Sequence, residues 1–161
     1  MRVAAIVGRQ GSGKTTLIER LIRAARERGL TVSTIKHTHH HDIELDTPGK
    51  DSHRHRVAGA SEVIVASDGG WARIAASAVP ASLQILLGQL RPVDLVLVEG
   101  FKQLEWLRRV EVFRGAGTPL AQDDPGIAAV AVPAGVALAG FKGLQLPLDD
   151  TSAVLDFILS A

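Results

Sequence analysis

The run Gly8-Arg9-Gln10-Gly11-Ser12-Gly13-Lys14-Thr15 fits the spacing G-x-x-x-x-G-K-[ST], whose chemistry is phosphate binding. Glycines let the backbone curl until successive N–H groups face phosphate oxygens, and a helix start adds the positive end of its dipole. A lysine in the place of Lys14 bridges the β and γ phosphates, and the hydroxyl of Thr15 is offered to Mg²⁺. Gly8, Gln10, Gly11, Ser12, Gly13, Lys14, Thr15 and Thr16 are therefore the candidate nucleotide-binding residues. Mg²⁺ is hard and prefers oxygen ligands, so an acidic side chain should complete its site. Glu99, at the end of the apolar run LVLVEG, is the first choice, because ligands gather at the carboxyl ends of strands in open α/β sheets. Asp51, in PGKDS, is the second, with Asp46 and Asp42 competing for the same place.

A second concentration of chemistry lies between Lys36 and Arg56, KHTHHHDIELDTPGKDSHRHR, which holds all 6 histidines. A histidine metal centre needs several imidazoles converging on one ion. His39, His40 and His41 are consecutive, so on an extended chain they alternate sides; only His53 and His55 are spaced to share a face. A solvated polar loop is the bland reading. Anion handling is favoured over both, since Lys36, His37, Lys50, Arg54 and Arg56 are all donors to phosphate. Nucleic acid is disfavoured because Asp42, Glu44, Asp46 and Asp51 cancel the local Lys and Arg.

Positioning these residues calls for a βαβ unit. Val3 to Val7 reads as a buried strand and Thr15 to Arg28 as a helix, with Leu17, Ile18, Leu21, Ile22 and Ala25 on one face and Gly29 as its stop. Thr31 to Lys36 reads as the next strand. Glu62 to Ala66 and Trp71 to Ala75 read as a hairpin turning through Ser67, Asp68, Gly69 and Gly70. Pro80 to Leu90 fits a helix ended by Pro92; Asp94 to Val98, Arg109 to Phe113 and Ile127 to Val132 fit strands; Asp150 can cap a last helix through Leu159. The expected fold is a three-layer α/β P-loop NTPase domain over residues 1–161, with a mostly parallel sheet and one antiparallel hairpin.

Composition narrows the function. The 161 residues are 46% apolar, enough for one sizeable core. Lys+Arg 18 against Asp+Glu 17 leaves a formal charge of +1, so no global polyanion field is implied. Aromatic content of 4% without Tyr argues against base-stacking surfaces, and the absence of Cys excludes disulfides and thiolate metal sites. No apolar run approaches a bilayer-crossing length, and the N-terminus runs directly into a polar glycine loop, so a cytoplasmic protein without membrane or nucleic-acid partners is expected.

Four blocks, IVGRQGSGKTTL, TIKHTHHHDIELDTPGKDSHRHRVAGA, DLVLVEGFK and RRVEVFR, resemble in order, and over nearly the whole chain, the MobB family of molybdopterin-guanine dinucleotide biosynthesis accessory proteins. That family lies in the P-loop GTPase superclass, beside dethiobiotin synthetase-like and metallochaperone GTPases. The block D-x-P-G-K-D-S-x-R-x-x-x-A-G-A, from Asp46 to Ala60, is its most specific part. The resemblance implies GTP and Mg²⁺ as cofactors, weak GTPase activity, help in attaching GMP to molybdopterin, a MobA-type nucleotidyltransferase as partner, and a homodimer. By position it implies Gly13, Lys14 and Thr15 at the phosphates and Mg²⁺, Glu99 as the acid of the VEG block, and Lys36 and His37 as the K-H pair. Asp46, Gly49, Lys50, Asp51, Ser52 and Arg54 fall on the central block. The family's K-x-E-V-x-R strand starts here with Arg109 and keeps Glu111 and Arg114, and the run His39 to His41 is denser than the pattern requires.

Two other classes compete. An ATP-dependent small-molecule kinase would need an arginine-bearing lid, for which only Arg108, Arg109 and Arg114 offer themselves; a metal-delivery GTPase is weakened by the absence of Cys. The chain also lacks Asn, so the guanine-reading N-K-x-D motif is absent, and Asp123 or Asp124 is the substitute expected to read guanine.

Overall fold

The computed structural model describes residues 1–38, 46–75, 80–101, 103–138 and 140–160. Asp42 and the run His39 to His41 lie outside them. The chain divides into two compact units, Met1–His37 with Leu86–Ala161, and Thr38–Ile85.

The larger unit is a parallel sheet. Strand β1 (Arg2–Val7) leads through the glycine loop into α1 (Lys14–Glu27), and β2 (Val32–Lys36) follows. Leu17, Ile18, Leu21 and Ala25 of α1 are buried, as their spacing requires. The helix stops at Gly29, whose φ of 76° suits a residue without Cβ; its N–H donates to the Arg26 carbonyl, and that of Leu30 to Ala25. The strands of the central block are short apolar runs, β1 AAIV and LVLV of β5 (Leu95–Glu99) above all, as expected where both faces of a parallel sheet are covered. The remaining strands are β6 (Arg108–Val112), β7 (Ile127–Val132) and β8 (Leu144–Pro147), and the sheet order is β2-β5-β1-β6-β7-β8, every described pair parallel. On one face Ala4, Ile6, Leu97, Val110, Ala129 and Leu146 form a core with α1 and with α4 (Thr151–Leu159). Asp150 caps α4 as its sequence position suggests, accepting from the Ala153 amide at 2.9 Å.

The second unit holds α2 (Asp51–Val57) and an antiparallel hairpin of β3 (Glu62–Ser67) and β4 (Gly70–Ala75). Ser67 and Gly70 pair with each other, so the turn is the dipeptide Asp68-Gly69 and each strand is one residue longer than its apolar run. Helix α3 (Leu83–Gly88) is shorter than the Pro80–Leu90 expectation, since the Ser82 hydroxyl accepts the Ile85 amide and starts it late.

The mostly parallel sheet with one antiparallel hairpin agrees with the expected fold. The expectation of a loop from Lys36 to Arg56 does not hold throughout. Asp51 to Val57 is helical with no buried residue, so it carried no apolar periodicity to announce it. The shared face of His53 and His55 is thereby corrected. Two helical steps turn about 200°, which sends the two imidazoles to opposite sides.

Candidate functional site

The glycine loop joins β1 to α1 at the carboxyl edge of the sheet. Gly8, Gly11 and Gly13 all take positive φ, 145°, 75° and 95°, and Gly13 is the residue that precedes α1. A Cβ at Gly8 would stand 2.7 Å from both the Ser12 hydroxyl and the Val112 carbonyl, so this position admits no side chain. The chain turns at Ser12, whose N–H donates to the Arg9 carbonyl at 3.2 Å. The first turn of α1 leaves backbone N–H groups without intrahelical acceptors, at the positive end of its dipole. Lys14 folds back over the loop and donates from Nζ to the carbonyls of Gly8 (3.1 Å) and Arg9 (2.8 Å). Thr16 follows on α1, and Gln10 lies exposed at the crown of the loop.

Glu99 is brought to Thr15 across 84 residues of chain. Parallel pairing sets β5 beside β1 with Ile6 opposite Glu99, and the Thr15 hydroxyl stands 3.4 and 3.3 Å from the two carboxylate oxygens. Those distances are long for O–H···O bonds, which centre on about 2.7–2.8 Å, so the carboxylate is only loosely held. On the other side of β5, Lys36 pairs in register with Glu99, its Nζ 3.9 Å from Oε1. His37 continues the ladder by donating its N–H to the Glu99 carbonyl at 2.9 Å, and its ring lies 4.8 Å from that of Phe101. The chain leaves Glu99 through two positive φ values, Gly100 at 102° and Phe101 at 52°. The second is a conformation few non-glycine residues adopt. No feature of the sequence announces it.

Lys14, Thr15, Lys36, His37 and Glu99 thus converge at one sheet edge. Lys50, Asp51 and Arg54 belong to the second unit. Lys50 precedes α2, and Asp51 pairs with Arg54 at 3.7 Å, both side chains largely exposed. Asp46, a competitor of Asp51, accepts the Ser52 hydroxyl at 2.7 Å and so anchors the start of that helix.

Strand β6, on the opposite side of β1, carries residues of the K-x-E-V-x-R pattern whose roles the pattern did not reveal. Glu111 is buried, and its two oxygens accept the amides of Leu120 (2.7 Å) and Ala121 (2.8 Å), fixing a short 3-10 turn. Arg109 is also buried and makes a bidentate pair with Asp124 at 2.6 and 2.9 Å. Gly126 is required beneath that pair, because a Cβ there would stand 1.8 Å from Arg109 Nη2. Asp124 is therefore committed to a structural ion pair, and Asp123 alone is left of the two acids expected to read guanine. The arginines that a kinase lid would need are likewise engaged. Arg108 lies over the Phe157 ring at 3.9 Å, Arg109 is buried, and Arg114 donates from Nε to the Ser12 carbonyl at 3.0 Å. Beyond Arg114 the loops after β6 and β7 border a half-open cavity of about 760 Å³, walled by Phe113, Val136, Leu138 and Phe141, with Gln122 and Lys142 at its polar places. Phe113 also borders a smaller cavity of about 300 Å³ beside Arg9 to Ser12. Among the described residues no three His, Asp or Glu side chains are grouped to hold a metal ion, and no helix is long and apolar enough to cross a membrane.

Residues 3–133 match a family model described as molybdopterin guanine dinucleotide synthesis protein B, MobB. The chain is 46% identical over 129 residues to a molybdopterin-guanine dinucleotide biosynthesis adapter protein of Haemophilus influenzae, covering 78% of this chain and 71% of that one. It is 46% identical over 112 residues to the protein of the same name in Escherichia coli, covering 66% and 63%. A crystal structure of molybdopterin-guanine biosynthesis protein B matches with a TM-score of 0.76 at 28% identity over 98% of each chain.

Proposed function

Because the chain belongs to the MobB family, we propose that it is a GTP- and Mg²⁺-binding adapter that assists attachment of GMP to molybdopterin, with weak GTPase activity of its own. The observation that carries this reading is the convergence of Lys14, Thr15 and Glu99 at the mouth of the glycine loop. The loop and the first amides of α1 receive the triphosphate, and Lys14 exchanges the carbonyls of Gly8 and Arg9 for phosphate oxygens. The Thr15–Glu99 pair suits a hard cation. Two neighbouring ligands of an octahedral Mg²⁺ stand about 2.9 Å apart, given metal–oxygen distances of ~2.0–2.1 Å, so the observed 3.3 Å needs little adjustment. Mg²⁺ bound there would offset phosphate charge and hold oxygens in place. The larger cavity shares Phe113 with the smaller one beside the glycine loop, and the rings of Phe113 and Phe141 support a position for the purine there. Lys50 and Arg54 of the second unit, exposed cations outside the glycine loop, are assigned to a phosphate of the pterin substrate. The partner is a MobA-type nucleotidyltransferase and the working form a cytoplasmic homodimer.

The decisive variant is Lys14→Ala. It should abolish tight GTP binding in a calorimetric titration, by about a hundredfold or more (~2.7 kcal/mol), and leave the free protein folded, with melting lowered only by the loss of its two bonds to loop carbonyls. Undiminished GTP affinity would sink the assignment of the loop, and equal affinity for ATP and GTP in the parent would sink the choice of guanine.

A further inference from the structure

The loop that receives the phosphates is tied to the segment after β6 by two hydrogen bonds running in opposite directions. Arg114 Nε donates to the Ser12 carbonyl at 3.0 Å, and Arg9 Nε donates to the Thr118 carbonyl at 3.0 Å. The segment itself is anchored from below, because Glu111 holds the amides of Leu120 and Ala121. The Arg114 guanidinium lies directly against Gly13, where a Cβ would stand 2.8 Å from Nη2 and 3.2 Å from Nε. Gly13 therefore lacks a side chain for two reasons, its φ of 95° and the arginine on top of it.

The peptide between Ser12 and Gly13 is planar and trans, with its C=O and N–H pointing in opposite directions. A donor from the segment after β6 that holds the Ser12 carbonyl must aim the Gly13 N–H away from that segment. We infer that Arg114 is a positioning residue for phosphate binding, acting through the Ser12–Gly13 peptide to preset the Gly13 amide toward the bound anion. The role rests on the loop being the phosphate site, as proposed above, and adds to it a residue from another strand. Fixing the amide in advance removes the conformational cost of turning it when the anion arrives. Arginine suits the task because its Nε–H lies in the guanidinium plane and donates sideways, a geometry that a lysine ammonium does not reproduce.

The test compares the parent with Arg114→Ala and Arg114→Lys, each as the full ¹⁵N-labelled chain, titrated with Mg²⁺-GTP and with inorganic tripolyphosphate. Both variants should bind both ligands about tenfold or more weakly, with unchanged melting since Arg114 is exposed, and the Gly13 amide resonance of the free protein should be displaced. Millimolar guanidinium should restore part of the affinity of Arg114→Ala. Binding within twofold of the parent in Arg114→Lys would make the role one of charge alone and overturn the inference. Weakened binding with an unmoved Gly13 resonance would make Arg114 a direct phosphate ligand, and overturns it equally. Should the parent bind neither ligand, the proposed function fails on that result, and the Gly13 resonance in the unliganded variants still decides whether Arg114 sets that peptide.

Discussion

Glu99 and Glu111 stand on the two strands that flank β1, opposite Ile6 and Val7 respectively, yet they share little beyond their side chain. Glu111 is 1% exposed, and both of its oxygens are taken by backbone amides at 2.7–2.8 Å. The side chain of Glu99 is 16% exposed and faces a hydroxyl at 3.3 Å and an ammonium at 3.9 Å, neither of them a tight partner. Glu111 has its acceptor capacity committed to groups that would otherwise be orphaned, and so it builds the loop after β6. Glu99 keeps oxygens in reserve beside the glycine loop, and so it can take a cation. A carboxylate's role follows from which partners already satisfy it, and motif membership alone does not separate the two.

The contrast has measurable consequences, the largest at the buried site. Glu111→Ala leaves the amides of Leu120 and Ala121 without an acceptor, and hydrogen bonds to charged groups contribute about 1.5–3 kcal/mol each. A loss of roughly 3 kcal/mol is expected in urea unfolding; a loss below about 1 kcal/mol would mean that the loop reorganises around other acceptors. At the open site the expectation reverses. Glu99→Gln should change unfolding stability by no more than about 0.5 kcal/mol, as for an uncommitted side chain, yet weaken Mg²⁺-dependent GTP affinity about tenfold (~1.4 kcal/mol). The same titration in EDTA should show little difference from the parent, and an equal loss with and without Mg²⁺ would remove Glu99 from the proposed metal site.

The smallest effect belongs to Asp94, just before the other end of β5. Hydrogen bonds from the Thr31 hydroxyl and then the Thr31 amide hold its carboxyl below the ordinary value of 3.8. A folded-state value below the unfolded one means that the ionised group favours the native state above the ordinary range. That contribution is lost as pH falls through the lowered folded value. The stability difference between parent and Asp94→Asn should therefore be present at neutral pH and shrink on acidification below about pH 4. A difference that stays constant across that range would show that Thr31 does not distinguish the charged form.

Much of the architecture is legible in the sequence, unevenly and for physical reasons. Strand β7 and helix α4 fall where the apolar run and the Asp150 cap put them, because each signal lies within a few residues of the element it governs. Strand β8 gives no such signal, since LQLP is short, ends in proline and, among the described residues, pairs only with β7, so a single residue, Leu146, is buried to mark it. Helix α2 gives still less signal, every residue of DSHRHRV but the exposed Val57 being polar. In the candidate site, Lys14 and Thr15 stand out by spacing and Glu99 by its place at the end of an apolar strand, and the structure brings Thr15 and Glu99 together.

Residue order alone settled the glycine loop, the helix that follows it, the hairpin turn and the terminal cap, because each depends on interactions between near neighbours along the chain. Packing in three dimensions settled the commitment of Glu111, the pairing of Arg109 with Asp124, and the seat of Arg114 on Gly13. The Arg114–Ser12 bond joins residues 102 positions apart. Only a sheet that sets β6 against β1 brings them within hydrogen-bonding distance, and no local pattern encodes that register.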